Sequence, residues 1–223
     1  MSYVFPPPPR VSVPVFGTDD LFPVRRVYCV GRNYADHAAE MGADTREAPF
    51  FFSKPGDALV PGGGDVCYPP ATGNLQHEVE LVVALAGGGA NILPAQALDW
   101  VYGYAVGLDL TRRDLQQRAK DKGHPWDMAK GFDKSAVVGA IRPGQLPDAA
   151  LRCTVNGAIR QEARLSDMIW SPAAIIAALS QMVSLSPGDL IFTGTPAGVG
   201  PLNRGDTCKV EIDGLQSATV TIA

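Results

Sequence analysis

The feature that most constrains this chain is the segment His77–Leu81, which reads HEVEL and runs directly into the apolar stretch Val82–Leu85. Alternating polar and apolar residues with β-branched neighbours predict a strand. Side chains on a strand alternate between its two faces, so Glu78 and Glu80 are expected on the same face, roughly 7 Å apart along the strand. Two such carboxylates repel each other unless water solvates them or a cation bridges them. The apolar stretch that follows is unusual for an exposed strand.

A third carboxylate, Asp109, ends another apolar run at residues 101–108. Three carboxylates carried on strands would form an oxygen-rich site for a hard divalent ion such as Mg²⁺ or Mn²⁺. The same residues also allow a plainer interpretation, in which Glu78 and Glu80 form a surface pair and Asp109 caps an unrelated helix. Spacing alone leaves both interpretations open.

The composition is that of an ordinary globular protein and argues against several other classes. The 223 residues are 46% hydrophobic and 19% charged, which is unlike a disordered or fibrous chain. The formal net charge is −4 and there is no long basic run, so nucleic acid is not an expected partner. No apolar run approaches the ~20 residues of a membrane span, and the N-terminus does not read as a signal peptide. We therefore expect a cytoplasmic protein with no membrane partner.

Glycine, proline and cysteine usage indicates how the chain is organised. The 24 glycines and 19 prolines favour turns and short strands over long helices. Residues 1–25 are predicted to be an extended Pro-rich arm, and residues 26–223 a single, mixed but β-dominated domain. Four cysteines without CxxC spacing predict buried free thiols rather than a disulfide framework.

Short helices are predicted in four places, one of which is Pro94–Trp100. In an Ala-rich segment, His37 and Glu40 stand three residues apart, so a helix would place their side chains in contact. A surface His–Glu pair is the ordinary interpretation of that spacing. Thr111 is predicted to cap a polar helix through Lys120, and Ser171 an amphipathic helix that begins with proline.

Several short motifs, taken together and in order, are more specific than any one of them. They are Gly31–Tyr34 with His37 and Glu40, Phe52–Pro55, His77–Leu81, Gly107–Asp109 with Arg113, Asp114 and Gln116, Lys130–Asp133, Gly188–Asp189 and Thr193–Pro196. This combination resembles the fumarylacetoacetate hydrolase family, in its single-domain acylpyruvate hydrolase branch. The motifs extend over most of the chain beyond the N-terminal arm.

The resemblance implies a fold that periodicity does not reveal. That fold is of the α+β class and β-dominated, a β-roll or distorted barrel like the C-terminal domain of fumarylacetoacetate hydrolase, with a few helices. The family is usually homodimeric. The resemblance further implies that Glu78, Glu80 and Asp109 ligate Mg²⁺ or Mn²⁺.

Catalytic and substrate-binding roles also follow only from the resemblance. It implies that His37 and Glu40 form a catalytic dyad on a mobile lid and that Lys130 is a catalytic cation facing the substrate. The substrate-binding positions that it implies are Arg32, Lys54, Arg113, Gln116, Gly194 and Thr195. Ordinary interpretations stay open for three of these, namely a helix-surface ion pair for Arg113, a strand-end charge for Lys54 and a turn former for Thr195.

The resemblance implies a metal-dependent hydrolase that cleaves the C–C bond of an acylpyruvate through a metal-stabilised pyruvate enolate. Its partner would be a small keto acid, with fumarylpyruvate, an intermediate of aromatic compound catabolism, as the preferred substrate. Alternatives within the family are decarboxylation of oxaloacetate and isomerisation or hydration of an unsaturated keto-diacid. An alternative of another class is a non-enzymatic, metal-stabilised domain that binds small keto acids or a protein.

Overall fold

The computed structural model of this chain describes residues 3–35 and 48–223. Within these residues the elements are mainly short strands arranged in four sheets, which confirms the β-dominated class. The strands are β1 (Ser12–Pro14), β2 (Leu21–Pro23), β3 (Arg26–Gly31), β4 (Phe50–Lys54), β5 (Leu59–Pro61), β6 (Gly63–Val66), β7 (Leu75–His77), β8 (Val79–Leu85), β9 (Val101–Asp109), β10 (Thr111–Arg112), β11 (Ala136–Val138), β12 (Arg142–Pro143), β13 (Ala150–Val155), β14 (Ala158–Arg164), β15 (Asp189–Phe192), β16 (Gly200–Leu202), β17 (Thr207–Ile212) and β18 (Ala218–Ile222).

The largest sheet has eight strands and carries most of the candidate site. Its order is β4-β3-β15-β8-β9-β11-β5, with β12 also pairing β9. Strand β15 runs parallel to β3 and β11 runs parallel to β5, while β8 and β9 pair antiparallel. All seven residues of β8 are buried, as expected for a near-continuous apolar run covered on both faces.

The strand predicted through His77 and Leu85 is interrupted at Glu78. Strand β7 ends at His77 and belongs to a three-stranded sheet in the order β10-β7-β16, whereas β8 begins at Val79 in the large sheet. The Glu78 carbonyl accepts a hydrogen bond of 2.9 Å from the Asp109 N–H. The chain therefore changes sheets at Glu78, and the two glutamates are not related by the simple strand period that we predicted.

The five-stranded sheet has the order β14-β13-β17-β18-β6 and covers the main apolar core. Its strand β13 alternates partly buried and buried residues, the pattern of a sheet with one face in the core. The β13–β14 hairpin turns at Asn156 and Gly157, whose φ angles are 51° and 79°. Two consecutive positive φ values are those of a type I′ turn, which Asn-Gly favours.

Helices are few among the described residues. They are α1 (Arg113–Lys122), α2 (Asp127–Lys130) and α3 (Pro172–Ser180), with 3₁₀ turns at Gly56–Ala58, Pro94–Trp100 and Leu165–Asp167. The predicted cap at Ser171 is confirmed, because its Oγ accepts a 3.3 Å hydrogen bond from the Ala174 N–H. The predicted cap at Thr111 is wrong. Thr111 lies in β10, and its hydroxyl accepts a 2.6 Å hydrogen bond from Lys130 Nζ instead.

Part of the predicted extended arm is folded. Strands β1 and β2 pair antiparallel, and their side chains Val13 and Phe22 are buried in a second apolar cluster. Residues 12–23 therefore form a hairpin that packs on the rest of the chain, because apolar residues between the prolines have a core to fill. Residues 3–10 are exposed and form no helix or strand. The division into an arm and a domain at residue 26 stays a prediction.

All four cysteines are free, and three are buried as predicted, whereas Cys67 is exposed. None of the helices in the described residues is long and apolar enough to cross a membrane.

Candidate active site

Three carboxylates converge where β8 begins and β9 ends. One oxygen each of Glu78, Glu80 and Asp109 lies within 4.8 Å of the other two. The three residues are 5%, 1% and 0% exposed, respectively, which rules out the surface-pair interpretation. Because the chain changes sheets at Glu78, its carboxylate reaches the same point as that of Glu80.

Two buried lysines neutralise two of these carboxylates. Lys130 Nζ donates hydrogen bonds to Glu78 Oε2 at 2.7 Å and to Asp109 Oδ2 at 2.8 Å. Lys54 Nζ lies 2.7 Å from Asp109 Oδ1. Lys54 is therefore not a strand-end surface charge, and its position orients Asp109. Burial alone would lower the pKa of Lys130, but the charges of Asp109 and Glu78 outweigh it and raise that pKa, so Lys130 is charged.

Of the three carboxylates, Glu80 has its negative charge neutralised least by neighbouring groups. In the described part of the chain it forms no ion pair, and its Oε2 accepts a 2.7 Å hydrogen bond from the Gly194 N–H. Burial first, and then the charges of Asp109 and Glu78, raise the pKa of Glu80 well above its ordinary value. Gly194 has a φ of 95°, and a Cβ there would lie 2.6 Å from Asn33 Cβ, so the backbone needs glycine to reach Glu80.

This donor set fits a divalent cation of the Mg²⁺ or Mn²⁺ type. Buried carboxylate oxygens are hard ligands, and a group of three leaves room for further oxygen ligands in an octahedral shell. A buried carboxylate that lacks a countercharge is costly unless it is neutralised. A cation held by Glu78, Glu80 and Asp109 would supply that countercharge at Glu80.

A pocket opens above the carboxylates. Glu78, Glu80 and Lys130 form its floor, and the aromatic residues Phe50, Phe52 and Trp126 line one side. The rings of Phe50 and Trp126 meet edge to face, with centroids 5.4 Å apart and an interplanar angle of 87°. Edge-to-face packing fixes both rings.

Helix α1 contributes polar side chains to the pocket. Arg113 Nε donates a 2.8 Å hydrogen bond to Gln76 Oε1, and its guanidinium also contacts Gln116 and Glu78. Arg113 is therefore partly buried at the pocket rather than in a surface ion pair. Lys120 lines the same pocket, and our reading of the sequence missed it. Its spacing of four residues from Gln116 and seven from Arg113 places it on the same helix face and could have indicated it.

Thr195 also lines the pocket and is held by a buried glutamine that the sequence did not indicate. Thr195 Oγ1 donates to the Val79 carbonyl at 2.8 Å and accepts from Gln161 Nε2 at 2.8 Å. Gln161 Oε1 lies 2.9 Å from His77 Nδ1. Gln161 is the single buried residue of β14, so no local pattern distinguishes it. Thr195 is thus a fixed pocket residue rather than only a turn former.

The remaining predicted site residues are Arg32, His37 and Glu40. Arg32 lines the pocket with an unusual φ of 60°, and its guanidinium carbon lies 5.4 Å from the Phe50 ring centroid. His37 and Glu40 lie outside the described residues, so the catalytic dyad stays a prediction.

The raised pKa of Glu80 predicts that metal binding releases a proton. Because the folded pKa lies above the ordinary value, the metal-free protein loses stability as the pH rises through that folded pKa. Below that pKa a cation must displace the Glu80 proton, so Mn²⁺ affinity should rise with pH. Glu80→Gln should bind Mn²⁺ more weakly and lose most of this pH dependence.

Calorimetric titration with Mn²⁺ in buffers of different ionisation enthalpy measures the released protons. The exposed Glu162, paired with Arg152 at the surface, provides a matched control as Glu162→Gln, which should bind like the wild type. Affinity that does not change with pH, or an unchanged Glu80→Gln, would contradict the assignment.

The chain is similar to known proteins in both sequence and structure. Residues 26–223 match the family model described as fumarylacetoacetate (FAA) hydrolase C-terminal. The crystal structure of fumarylpyruvate hydrolase from Pseudomonas aeruginosa in complex with Mn²⁺ and pyruvate is similar with a TM-score of 0.97 and 48% identity, covering 100% of this chain and 99% of that chain.

Two relatives of similar sequence are named for different activities. Oxaloacetate tautomerase FAHD1, mitochondrial, of Mus musculus is 47% identical over 197 residues, which cover 86% of this chain and 89% of the mouse protein. A fumarylpyruvate hydrolase of Ralstonia sp. is 42% identical over 179 residues, which cover 79% of this chain and 93% of that protein.

Proposed function

The chain belongs to the fumarylacetoacetate hydrolase family, and from that premise we propose that it is a divalent-metal-dependent hydrolase that cleaves the C–C bond of acylpyruvates. Fumarylpyruvate is the substrate that we propose. The homodimer and the role in aromatic compound catabolism stay predictions from the resemblance, and the cytoplasmic location stays a prediction from the composition.

One observation carries this proposal. Glu78 and Glu80 line a pocket and meet the buried Asp109, and the charged ammonium of Lys130 contacts Glu78 and Asp109 at 2.7 and 2.8 Å. A floor that combines a cation site with a fixed ammonium is suited to negative charge that develops on substrate oxygens. The Mn²⁺ and pyruvate named in the Pseudomonas aeruginosa complex support the same chemistry for this pocket.

The chain's own residues account for most of the reaction. Arg113 and Gln116 are proposed to hold the carboxylate of the pyruvoyl group. When bound, a divalent cation supplies Lewis-acid polarisation of a substrate carbonyl. His37, oriented by Glu40, is proposed to take a proton from water, whose oxygen then bonds to the acyl carbonyl carbon. The C–C bond breaks and its electron pair passes to the pyruvate enolate, which Lys130 stabilises until the enolate takes up a proton.

A specific observation also favours a second candidate, tautomerisation of oxaloacetate. The mouse relative with that name is 47% identical to this chain. Keto–enol exchange of oxaloacetate passes through an enolate like that of pyruvate, so the same floor would stabilise it. The exchange moves one proton and consumes no water. The decarboxylation of oxaloacetate that we predicted as an alternative stays untested.

A substrate panel distinguishes these candidates. The wild-type protein is mixed with fumarylpyruvate, acetylpyruvate or oxaloacetate, with Mn²⁺, with Mg²⁺ and with chelator. We expect metal-dependent loss of the acylpyruvate enol absorbance with equal yields of pyruvate and the acyl acid. Fast keto–enol exchange of oxaloacetate without cleavage of either acylpyruvate would contradict the hydrolase and favour the tautomerase. No metal-dependent reaction with any of the three would favour a binding domain.

A further inference from the structure

Two cations and two aromatic residues that line the pocket contact one another in a row. The Arg32 guanidinium carbon lies 5.4 Å from the centroid of Phe50, Phe50 packs edge to face on Trp126, and Lys120 Nζ lies 5.3 Å from the centroid of Trp126. All four line the same pocket. We call Arg32, Phe50, Trp126 and Lys120 the rim belt. Cation–aromatic contacts hold both cations over fixed rings.

In the part of the chain that the structure describes, the two rim cations form no ion pair with a carboxylate. The other pocket cations do, since Lys130 pairs with Glu78 and Asp109, and Arg113 pairs with Glu78. Across residues 3–35 and 48–223, neither Arg32 nor Lys120 forms an ion pair, and the Arg32 Nε is buried without a hydrogen-bond partner. Buried donors in proteins are almost always satisfied, so an unpaired one in a pocket points to a ligand.

The electrostatics at Lys120 agree with a missing anion. Burial first, and then the nearby charges of Arg113 and Arg32, lower the pKa of Lys120 to about 8. Like charges have thus been brought together at the rim, and the charge of Glu78 offsets their effect on Lys120 only in part. An anion bound beside Lys120 and Arg32 would relieve this repulsion.

We propose that the rim belt binds a second carboxylate of the substrate, so the protein selects acylpyruvates whose acyl group is flat and ends in a carboxylate. This inference rests on the proposed function. The pyruvoyl carboxylate is held at Arg113 and Gln116, and the second carboxylate reaches Arg32 and Lys120, which line the same pocket. Lys120 is thus a specificity-determining residue.

The aromatic wall is suited to the part of the substrate between the two carboxylates. A fumaroyl group is planar and conjugated, and it can pack against the aromatic wall that Phe50 and Trp126 form. An acetyl group is shorter than a fumaroyl group and carries no second charge. The belt therefore contributes to the binding of fumarylpyruvate and not to that of acetylpyruvate.

The experiment measures kcat/KM for fumarylpyruvate and acetylpyruvate with Lys120→Met. The ratio of the two values should fall by about 10- to 100-fold, the range expected when one charge-assisted hydrogen bond is lost. Most of the change should appear as a higher KM for fumarylpyruvate, because the contact is remote from the reacting atoms. Values for acetylpyruvate should stay close to those of the wild type.

Three further variants make the result specific. Lys122→Met removes an exposed charge from the same helix and should leave the ratio unchanged. Lys120→Arg keeps the charge and should largely preserve the ratio. Arg32→Asn should lower the ratio like Lys120→Met, and asparagine tolerates the positive φ at this position.

The outcomes separate the two proposals. If the wild type cleaves neither acylpyruvate, the proposed function fails. If the wild type cleaves both but Lys120→Met keeps the wild-type ratio, the rim belt does not bind a second carboxylate and the inference is overturned. A ratio lowered equally by Lys122→Met would also overturn it, because the effect would then be one of general charge.

Discussion

Replacement of Lys130 with methionine is expected to lower kcat for acylpyruvate hydrolysis by about 10²–10³-fold, the loss typical when preorganised electrostatic stabilisation of a developing oxyanion is removed. Lys130 is 2% exposed, and its ammonium contacts Glu78 and Asp109 at the pocket floor. Methionine keeps the length and the apolar body of the side chain but removes the charge. Any enolate formed from oxaloacetate should be affected as well, because both reactions place negative charge at the same floor.

Metal binding distinguishes a catalytic lysine from a merely structural one. The Lys130 charge repels a cation held by the neighbouring carboxylates, so Lys130→Met should bind Mn²⁺ at least as tightly as the wild type. Without metal the variant should be less stable, since a buried pair has lost one partner. Added Mn²⁺ should restore its thermal midpoint but not its rate. Recovery of the rate with Mn²⁺, or a rate like that of Lys122→Met, would show that Lys130 does not act on the reacting atoms.

Replacement of His37 with alanine is the second change with a large expected effect. It should lower acylpyruvate hydrolysis by about 10²–10⁴-fold, the contribution typical of a general base. The prediction comes from the sequence, where His37 and Glu40 stand three residues apart, because both lie outside the described residues. Loss of carbon dioxide from oxaloacetate needs no water nucleophile, so any such activity should largely survive in His37→Ala.

Both rates are measured on the same purified His37→Ala protein at saturating Mn²⁺, with Lys130→Met as the reference that should lose both. A control titration shows that His37→Ala still binds Mn²⁺. Equal loss of hydrolysis and of decarboxylation in a folded, Mn²⁺-binding His37→Ala protein would contradict this division of roles. His37 would then act on the enolate itself.

The sequence predicted the family, the β-dominated fold and the group of three acidic residues. The family match over residues 26–223 and the TM-score of 0.97 confirm the first two. The three carboxylates Glu78, Glu80 and Asp109 converge in the structure, and the sequence could indicate this because carboxylates beside apolar runs conflict with simple burial. The roles of these residues as metal ligands remain to be measured.

The features that the sequence did not predict correctly have physical explanations. In the sequence, the alternation of polar and apolar residues continues through Glu78. In the structure the strand ends at His77, because β7 pairs with β10 and β16. Thr111 has a sequence typical of a helix cap, but it pairs with Gln76 in a strand, and its hydroxyl accepts a hydrogen bond from Lys130. Gln161 satisfies groups that meet only in the folded chain. These interactions depend on contacts between residues distant in sequence, which local patterns do not encode.

Lys120 is a different kind of omission, because the signal was present. Its spacing from Arg113 and Gln116 places three polar side chains on one face of α1. What the sequence did not supply was the aromatic wall facing them, since Phe50 and Trp126 are far apart in the chain and meet only in the pocket.

The central claim is that a cation at Glu78, Glu80 and Asp109 enables cleavage of an acylpyruvate. The most direct measurement titrates Mn²⁺ into chelator-treated protein and follows, in the same samples, free Mn²⁺ by electron paramagnetic resonance and the rate of fumarylpyruvate cleavage. We predict that the stripped protein is inactive and that the rate rises in proportion to occupancy, reaching its plateau at one ion per chain. A full rate without metal, or full occupancy of this site without cleavage, would contradict the account.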